Sequence, residues 1–315
     1  MKKFIITIVT LMLGAGMVSA QDLASVTETY NSAINANEAG NMELALSNFK
    51  EALAFAEALG AEGQEIATNC KNSIPILMLA IAKKAVNETD YDKAVSGLKE
   101  TIETAAKYGN DNIAAEAKDL IPQVLMQKAN GFYNEKNWDA AIEGYRAVIA
   151  EDATNGNAYL RLGAALKSSG DKAGAVEAFQ SAIANGQEKA AGKQLGNLYL
   201  QDASASLKAK KFDEAIEAAV ESTKYAENPK AYQIAGTAAT YAEKNKLAIE
   251  YFEKYLEAAP AAKNSGDILF SIAVSYQKMK DNAKAKEYYQ KSIADPGKIN
   301  PRNLEAAKQQ IAAIK

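Results

Sequence analysis

Apolar and small residues return every three or four positions along most of the chain, most clearly between residues 155 and 186. In the first half of this stretch they share one side of a helix: Tyr159, Leu162, Gly163 and Leu166. The run Ser-Ser-Gly-Asp at 168–171 then interrupts the pattern, because glycine permits a positive φ and Ser and Asp bond their own backbone. The pattern resumes on one face of a second helix: Ala175, Val176, Phe179, Ala182 and Ile183. The stretch therefore predicts a hairpin of two helices.

A related triplet occurs in the second helix of each of seven predicted hairpins. It begins with a small residue, and its other two members lie four and seven positions after that residue. In its clearest form the triplet is small, aromatic, small. The triplets are Ala45, Phe49 and Ala52; Ala94, Leu98 and Thr101; Ala141, Tyr145 and Val148; Ala175, Phe179 and Ala182; Ala215, Ala219 and Ser222; Ala248, Phe252 and Tyr255; Ala285, Tyr289 and Ser292. Each preceding first helix has a small residue where two backbones should cross: Ala33, Ala82, Ala129, Gly163, Ala203, Gly236 and Ala273. One hairpin cannot bury both of its faces, so the copies must stack on one another.

This hairpin resembles the tetratricopeptide repeat. The resemblance rests on Gly163 in the first helix and on Ala175, Phe179 and Ala182 in the second. It implies an all-α fold, an α-α superhelix in which about seven helical hairpins form a solenoid with a C-terminal capping helix. In this family the first helices line the concave wall, where ligands usually bind.

The spacing of the hairpins is uneven, since the triplets begin 49, 47, 34, 40, 33 and 37 residues apart, and the family's unit is near 34. Residues 61–150 therefore contain long units and residues 151–300 near-standard ones. The two long units match each other at an offset of 47 residues. They predict first helices that are longer by about three turns and that Pro75 and Pro122 kink. Asn300 and Pro301 begin a last helix, predicted to cap the stack over residues 301–315.

The first twenty residues have the layout of a secretory signal. Lys2 and Lys3 precede an apolar run from Phe4 to Leu13, and small residues follow, so we expect cleavage after Ala20. No cysteine follows the apolar run, which argues against a lipoprotein signal. We expect residues 21–300 to form the repeat array of an exported protein, periplasmic or secreted, with no membrane insertion after cleavage. An uncleaved N-terminal anchor is the alternative.

Composition argues against several kinds of function. The chain has no histidine and a single cysteine, Cys70, which fits a small core residue. Its net charge is −3, falling to −5 if Lys2 and Lys3 are removed, so nucleic acid and anionic membranes are poor partners. No phosphate loop, metal motif or nucleophile elbow occurs. We expect no enzyme activity, no cofactor and no metal site.

Binding of a protein or peptide is the predicted function, as a scaffold or assembly adaptor in the bacterial cell envelope. Carried over from the family, the inward-facing residues would be Lys83, Asn87, Asn130, Tyr133, Asn134, Asn157, Lys167, Asn197, Lys208, Gln233, Thr237, Tyr241, Gln277 and Lys278. The predicted partner-binding residues among them are Asn130, Tyr133, Asn134, Asn157, Lys167, Gln233, Tyr241 and Gln277. Amides can pair with a peptide backbone, and tyrosine can cover its side chains.

Three alternatives to this prediction stay open. A solvated helix face must be polar whether or not it binds anything. A receptor for a sugar or a peptidoglycan fragment would gather Tyr133, Tyr241 and neighbouring amides into one pocket. An enzyme would require a deep pocket with two close carboxylates. The identity of the partner and the oligomeric state are open as well.

Overall fold

The computed structural model describes residues 20–314, so the signal predicted for residues 1–20 lies outside the described residues except for Ala20. Over that range the chain forms fifteen α-helices, one 3₁₀ turn and no strand. Fourteen helices form seven hairpins, as the sequence predicts: α1 (Ala20–Glu38) with α2 (Met42–Ala58), α3 (Gln64–Asn87) with α4 (Tyr91–Tyr108), α5 (Asp111–Asn134) with α6 (Trp138–Glu151), α7 (Gly156–Ser169) with α8 (Lys172–Ala184), α9 (Glu188–Lys208) with α10 (Phe212–Tyr225), α11 (Pro229–Tyr241) with α12 (Asn245–Ala258), and α13 (Ser265–Lys278) with α14 (Asn282–Ser292). The 3₁₀ turn Pro296–Lys298 leads to the last helix, α15 (Pro301–Ala313).

All seven hairpin turns have the same backbone form. The residue before the N-cap of the second helix has a positive φ between 60° and 95° in each turn: Gly40, Thr89, Lys136, Gly170, Lys210, Glu243 and Lys280. In five turns the N-cap side chain then accepts a hydrogen bond from a backbone N–H of the first turn: Asn41, Asp90, Asn137, Asp171 and Asp281. In the other two turns the N-cap is a lysine, Lys211 or Lys244, which makes no such bond.

The interior of each hairpin confirms the pattern of small and large residues. Every member of the seven triplets is buried, and so are the seven small residues of the first helices. At Gly163 an added Cβ would lie 2.7 Å from the ring of Phe179, and at Gly236 it would lie 2.6 Å from the ring of Phe252. Glycine is required at these two positions because the aromatic ring fills the space that a side chain would need.

The chain divides into two compact units between Ala153 and Thr154. Unit 1 contains α1–α6 and unit 2 contains α7–α15. In unit 1 one apolar cluster joins α1, α2 and α3, and a second joins α3, α4 and α5. In unit 2 successive clusters join α9 to α11, α10 to α13, and α13 to α15. Each unit is therefore a stack in which neighbouring hairpins share their cores.

The first helices differ in length. α3 and α5 each have 24 residues and α7 has 14, so the predicted lengthening by about three turns is confirmed. Pro75 and Pro122 both lie inside these long helices, which continue through them. α9 is also long, at 21 residues, although it lies in the part of the chain where near-standard units are predicted.

The C-terminal helix covers the last hairpin, as predicted. Asn300 is its N-cap and Pro301 its first residue. Ala307 is fully buried against α13 and α14. The Asp267 carboxylate accepts hydrogen bonds from the backbone N–H of Asn300, at 3.0 Å, and from the side-chain amide of Asn303, at 2.9 Å. These contacts fix α15 on the end of the stack.

Candidate functional site

The predicted partner-binding residues all lie on the first helices of their hairpins. Asn130, Tyr133 and Asn134 are on α5 of unit 1. Asn157 and Lys167 are on α7, Gln233 and Tyr241 on α11, and Gln277 on α13, all in unit 2. Neighbouring first helices contact one another inside each unit, α3 with α5 and α9 with α11 among them. We call the surface that they share in each unit the first-helix face.

Two of the predicted amides hold buried tyrosines. The hydroxyl of the fully buried Tyr145 donates a hydrogen bond of 2.8 Å to Asn130 Oδ1. The hydroxyl of Tyr289 donates one of 2.7 Å to Gln277 Oε1, and Gln277 donates in turn to Gln310 on the capping helix, also at 2.7 Å. A buried hydroxyl needs such a partner. These two amides therefore contribute to the fold, a role that sequence reasoning did not assign to them.

The other predicted residues are less engaged. Lys167 Nζ lies 3.3 Å from Gln194 Oε1, and Gln233 Oε1 accepts a hydrogen bond of 2.9 Å from Lys230. Asn134 and Asn157 are exposed. The structure places these side chains along the first helices.

The two predicted aromatic residues belong to different units. Tyr133 packs edge-on against Trp138, with ring centroids 5.2 Å apart. Tyr241 stacks on Phe212 at 5.4 Å and remains 63% exposed. Each tyrosine thus has an aromatic neighbour of its own unit.

Sequence reasoning missed two equivalent depressions on the first-helix face of unit 1. Notch 1 lies between α1 and α3, encloses about 210 Å³, and is lined by Asn37, Met42, Phe49, Ser73, Ile76, Leu77 and Ala80. Notch 2 lies between α3 and α5, encloses about 310 Å³, and is lined by Lys83, Val86, Asn87, Leu98, Leu120, Gln123, Val124 and Gln127. The α3 wall of notch 1 and the α5 wall of notch 2 match at the offset of 47 residues that relates the long units. Notch 2 therefore repeats notch 1 one hairpin later.

Each notch has an apolar floor and walls that carry both apolar side chains and amides. The floors are formed by the centres of the triplets, Phe49 and Leu98, which are buried. Ile76 on the wall of notch 1 is 54% exposed, which is unusual for a large aliphatic side chain. The exposed amides of Asn37, Asn87 and Gln127 stand on the walls. This combination can hold an apolar side chain and pair with the peptide group beside it.

Charge near notch 2 is locally balanced. Lys83 forms an ion pair with Glu116, and Lys128 forms one with Asp92. Both pairs are exposed, and exposed pairs contribute at most about 1 kcal/mol. The notch therefore selects by shape and amide pairing more than by charge.

The single cysteine is available neither as a nucleophile nor as a metal ligand. Cys70 is fully buried, and burial raises the pKa of its thiol to about 11. A protonated, inaccessible thiol is a poor nucleophile and a poor metal ligand. Within residues 20–314 no group of three or more His, Cys, Asp or Glu side chains could hold a metal ion. In the same range no helix is both long and apolar enough to cross a membrane.

Two segments match known sequence families. Residues 157–185 and residues 266–294 each match a tetratricopeptide repeat family. The first segment corresponds to the hairpin α7–α8 and the second to α13–α14. Both hairpins are tetratricopeptide repeats.

Solved structures with partial similarity to the chain include two that are described as tetratricopeptide repeat proteins. A crystal structure of MamA is 23% identical over 59% of this chain and 92% of its own, with a TM-score of 0.33. YrrB, described as a protein with an unusual peptide-binding site, is 19% identical over 64% of this chain and 97% of its own, with a TM-score of 0.34. The C-terminal part of a repeat protein from Cytophaga hutchinsonii is 19% identical over 75% of this chain and 95% of its own, with a TM-score of 0.37. No curated protein sequence matches the chain.

Proposed function

We propose that this tetratricopeptide repeat protein is a non-catalytic scaffold or assembly adaptor of the bacterial cell envelope that binds a protein or peptide partner on the first-helix face of unit 1. The observation that carries the proposal is the repeated notch. Two depressions with apolar floors and exposed amides on their walls follow each other at the interval of one hairpin. Because the notches recur with the repeat, one extended segment can engage both of them.

The interval between the notches suggests the form of the partner. Packed helices lie about 8–10 Å apart, so neighbouring notches have a similar separation. A polyproline II segment advances about 3.1 Å per residue and returns to the same side every three residues. Its side chains at positions i and i+3 therefore stand about 9 Å apart on one side. We propose an extended partner segment with two apolar side chains three residues apart.

The absence of catalysis is part of the proposal and is supported by the chemistry of the side chains. Without histidine the chain lacks the commonest general base. The Cys70 thiol, with its pKa raised to about 11, is not activated. The location in the envelope is supported by the signal layout of residues 1–20.

Site-specific photo-crosslinking tests the proposal. A photoreactive amino acid is introduced at Ile76 in notch 1, at Gln123 in notch 2 and, as a control, at Leu44 on α2, which is 49% exposed but lies outside both notches. We expect the same envelope protein to be captured from both notches and not from Leu44. The captured segment, once mapped, should bind the purified chain, and Ile76→Asp should weaken that binding. Capture from all three positions alike, or from none, would refute the proposal.

The alternative of a small-ligand receptor is not favoured by the aromatic residues. It requires Tyr133 and Tyr241 to converge with amides on one enclosed pocket. Each ring instead packs against an aromatic neighbour, Tyr133 against Trp138 and Tyr241 against Phe212.

A further inference from the structure

Three consecutive turns of unit 2 have charged residues in an unfavourable backbone conformation. The turns of α9–α10, α11–α12 and α13–α14 carry Lys210, Glu243 and Lys280 at the left-handed position, with φ near 60°. An L-residue with a side chain is disfavoured there, whereas glycine is not. The turn of α7–α8 in the same unit has glycine at this position, Gly170. The fold is therefore compatible with the more stable residue.

The N-caps of two of these turns are unfavourable as well. α10 and α12 begin after Lys211 and Lys244, which give no side-chain cap, while Asp171 caps α8 in the same unit. A lysine there also places positive charge at the positive end of the helix dipole. Lys211 pairs with Glu214 at 3.0 Å and Lys244 pairs with Asp213 at 2.8 Å, so carboxylates in the first turn of α10 offset the charge of both N-cap lysines. Thr89 and Lys136 in unit 1 have the same left-handed conformation, so what distinguishes the turns of unit 2 is their lysines.

The lysines of these turns form a row with exposed apolar groups between them. Five of them make no ion pair with the described residues and are exposed: Lys208, Lys210, Lys246, Lys278 and Lys280. Lys244 Nζ lies 2.8 Å from Asp213, so the turns of α9–α10 and α11–α12 are in contact. Tyr241, stacked on Phe212, is 63% exposed and Met279 is 38% exposed. We call residues 208–214, 241–247 and 278–281 the turn edge.

We propose that the turn edge of unit 2 binds an acidic, extended segment of a partner protein. The unpaired lysines provide the positive charge, and Tyr241 with Phe212 provides a surface for an apolar side chain of the segment. Exposed carboxylates stand among the lysines, at Asp213 and Glu243 for example. They would repel a continuous polyanion such as nucleic acid or an anionic bilayer. A peptide with separate carboxylates can place uncharged residues opposite them.

The test replaces the strained lysines by glycine, which the left-handed backbone conformation favours. Lys210→Gly and Lys280→Gly are made singly and together. Lys136→Gly is the matched control, because Lys136 has the same backbone conformation, with φ 60°, but belongs to unit 1. The probe is a fluorescent synthetic peptide of alternating glutamate and glycine with one central leucine, and its partner peptide has glutamine in place of glutamate. Binding is followed by fluorescence anisotropy at low and high salt, and stability by thermal unfolding.

We expect all of these variants to melt at a higher temperature than the parent chain. The double variant should bind the acidic peptide about tenfold more weakly, since two exposed charge contacts are lost, whereas Lys136→Gly should bind normally. Binding should weaken with salt and be lost with the glutamine peptide. Ile76→Asp should leave binding of the acidic peptide unchanged. A negative result for the turn edge can therefore be distinguished from a negative result for the first-helix face.

Three results would overturn the inference. The first is no binding of the acidic peptide at low salt, or equal binding of the glutamine peptide. The second is equal weakening by Lys136→Gly and by the double variant. The third is stronger binding to phosphatidylglycerol vesicles or to single-stranded DNA than to the acidic peptide, which would assign the turn edge to a different kind of partner.

Discussion

Gly163 lies close to an aromatic ring in the hairpin α7–α8, so we predict that a larger residue at this position lowers the free energy of unfolding. Gly163 faces the ring of Phe179, and a Cβ added there would lie 2.7 Å from the ring atoms Cδ1 and Cε1. Carbon atoms in contact normally stand about 3.5–4.0 Å apart, so the ring would have to move by about 1 Å. Phe179 is fully buried, so its ring can move only against packed neighbours. Gly163→Ala therefore overpacks the hairpin.

Two opposing effects determine the magnitude. Alanine is more favourable than glycine in a helix interior by about 1 kcal/mol. Overpacking of a filled core costs about 1–3 kcal/mol. The expected net effect of Gly163→Ala is a loss of about 1 kcal/mol in the free energy of unfolding, and Gly163→Leu should be worse, with a loss nearer ~3 kcal/mol. Gly131 on α5 is the control, because no atom lies within 4 Å of an added Cβ there. Gly131→Ala should stabilise by about 0.5–1 kcal/mol, since it changes only the helix propensity.

The assay is urea unfolding followed by helical circular dichroism, together with hydrogen exchange of the altered helices. The second measurement is needed because a stack of repeats can unfold in parts. In the Phe179→Leu background Gly163→Ala should cost less than it does in the parent chain, since the smaller side chain leaves room for the methyl group. If Gly163→Ala stabilised the chain as much as Gly131→Ala does, the assigned crossing of α7 and α8 would be wrong.

Four further predictions concern individual residues. Thr89 is β-branched and has φ 61°, so Thr89→Gly should raise the free energy of unfolding by about 1 kcal/mol, measured in urea. Burial raises the pKa of Tyr289 above the ordinary value of 10, so the stability that its neutral phenol contributes is present below pH 10 and is lost as the pH rises further. Tyr289→Phe should reduce that alkaline loss in a pH series of unfolding curves. Cys70, buried and with its pKa raised to about 11, should resist a thiol reagent near neutral pH until denaturant is added, and fast labelling of the native chain would contradict its position. N-terminal sequencing of the exported chain should begin at Gln21, and a sequence that still begins at Met1 would favour the uncleaved anchor.

Much of the fold could be predicted because the repeat depends on side-chain size at a few fixed positions. Ala45, Phe49 and Ala52 are identifiable by helical spacing alone, and all three are buried. The triplet Ala215, Ala219 and Ser222 contains a polar residue, and the hydroxyl of Ser222 donates a hydrogen bond of 2.7 Å to the carbonyl of Gly196. A polar residue can thus occupy a core position when a backbone acceptor faces it.

The candidate site was less predictable because it depends on how hairpins stack. Helical spacing places Asn130 on the first helix, but only the packed structure brings it to the hydroxyl of Tyr145. The same limit applies to notch 1, whose walls come from α1, α2 and α3. Isoleucine is usually a core residue, and the 54% exposure of Ile76 follows from the register of α3 against its neighbours. The residue pattern of a single helix does not determine that register.

The central claim is that each unit is a linear stack in which hairpins stabilise only their neighbours. Ile74→Ala tests it directly, because Ile74 is fully buried in the cluster that joins α1, α2 and α3. Such a substitution costs about 2–5 kcal/mol. Hydrogen exchange of the full chain should show faster exchange in α1–α4, while α11–α15 keep the protection of the parent chain. Equal loss of protection in every helix from α1 to α15 would contradict this claim.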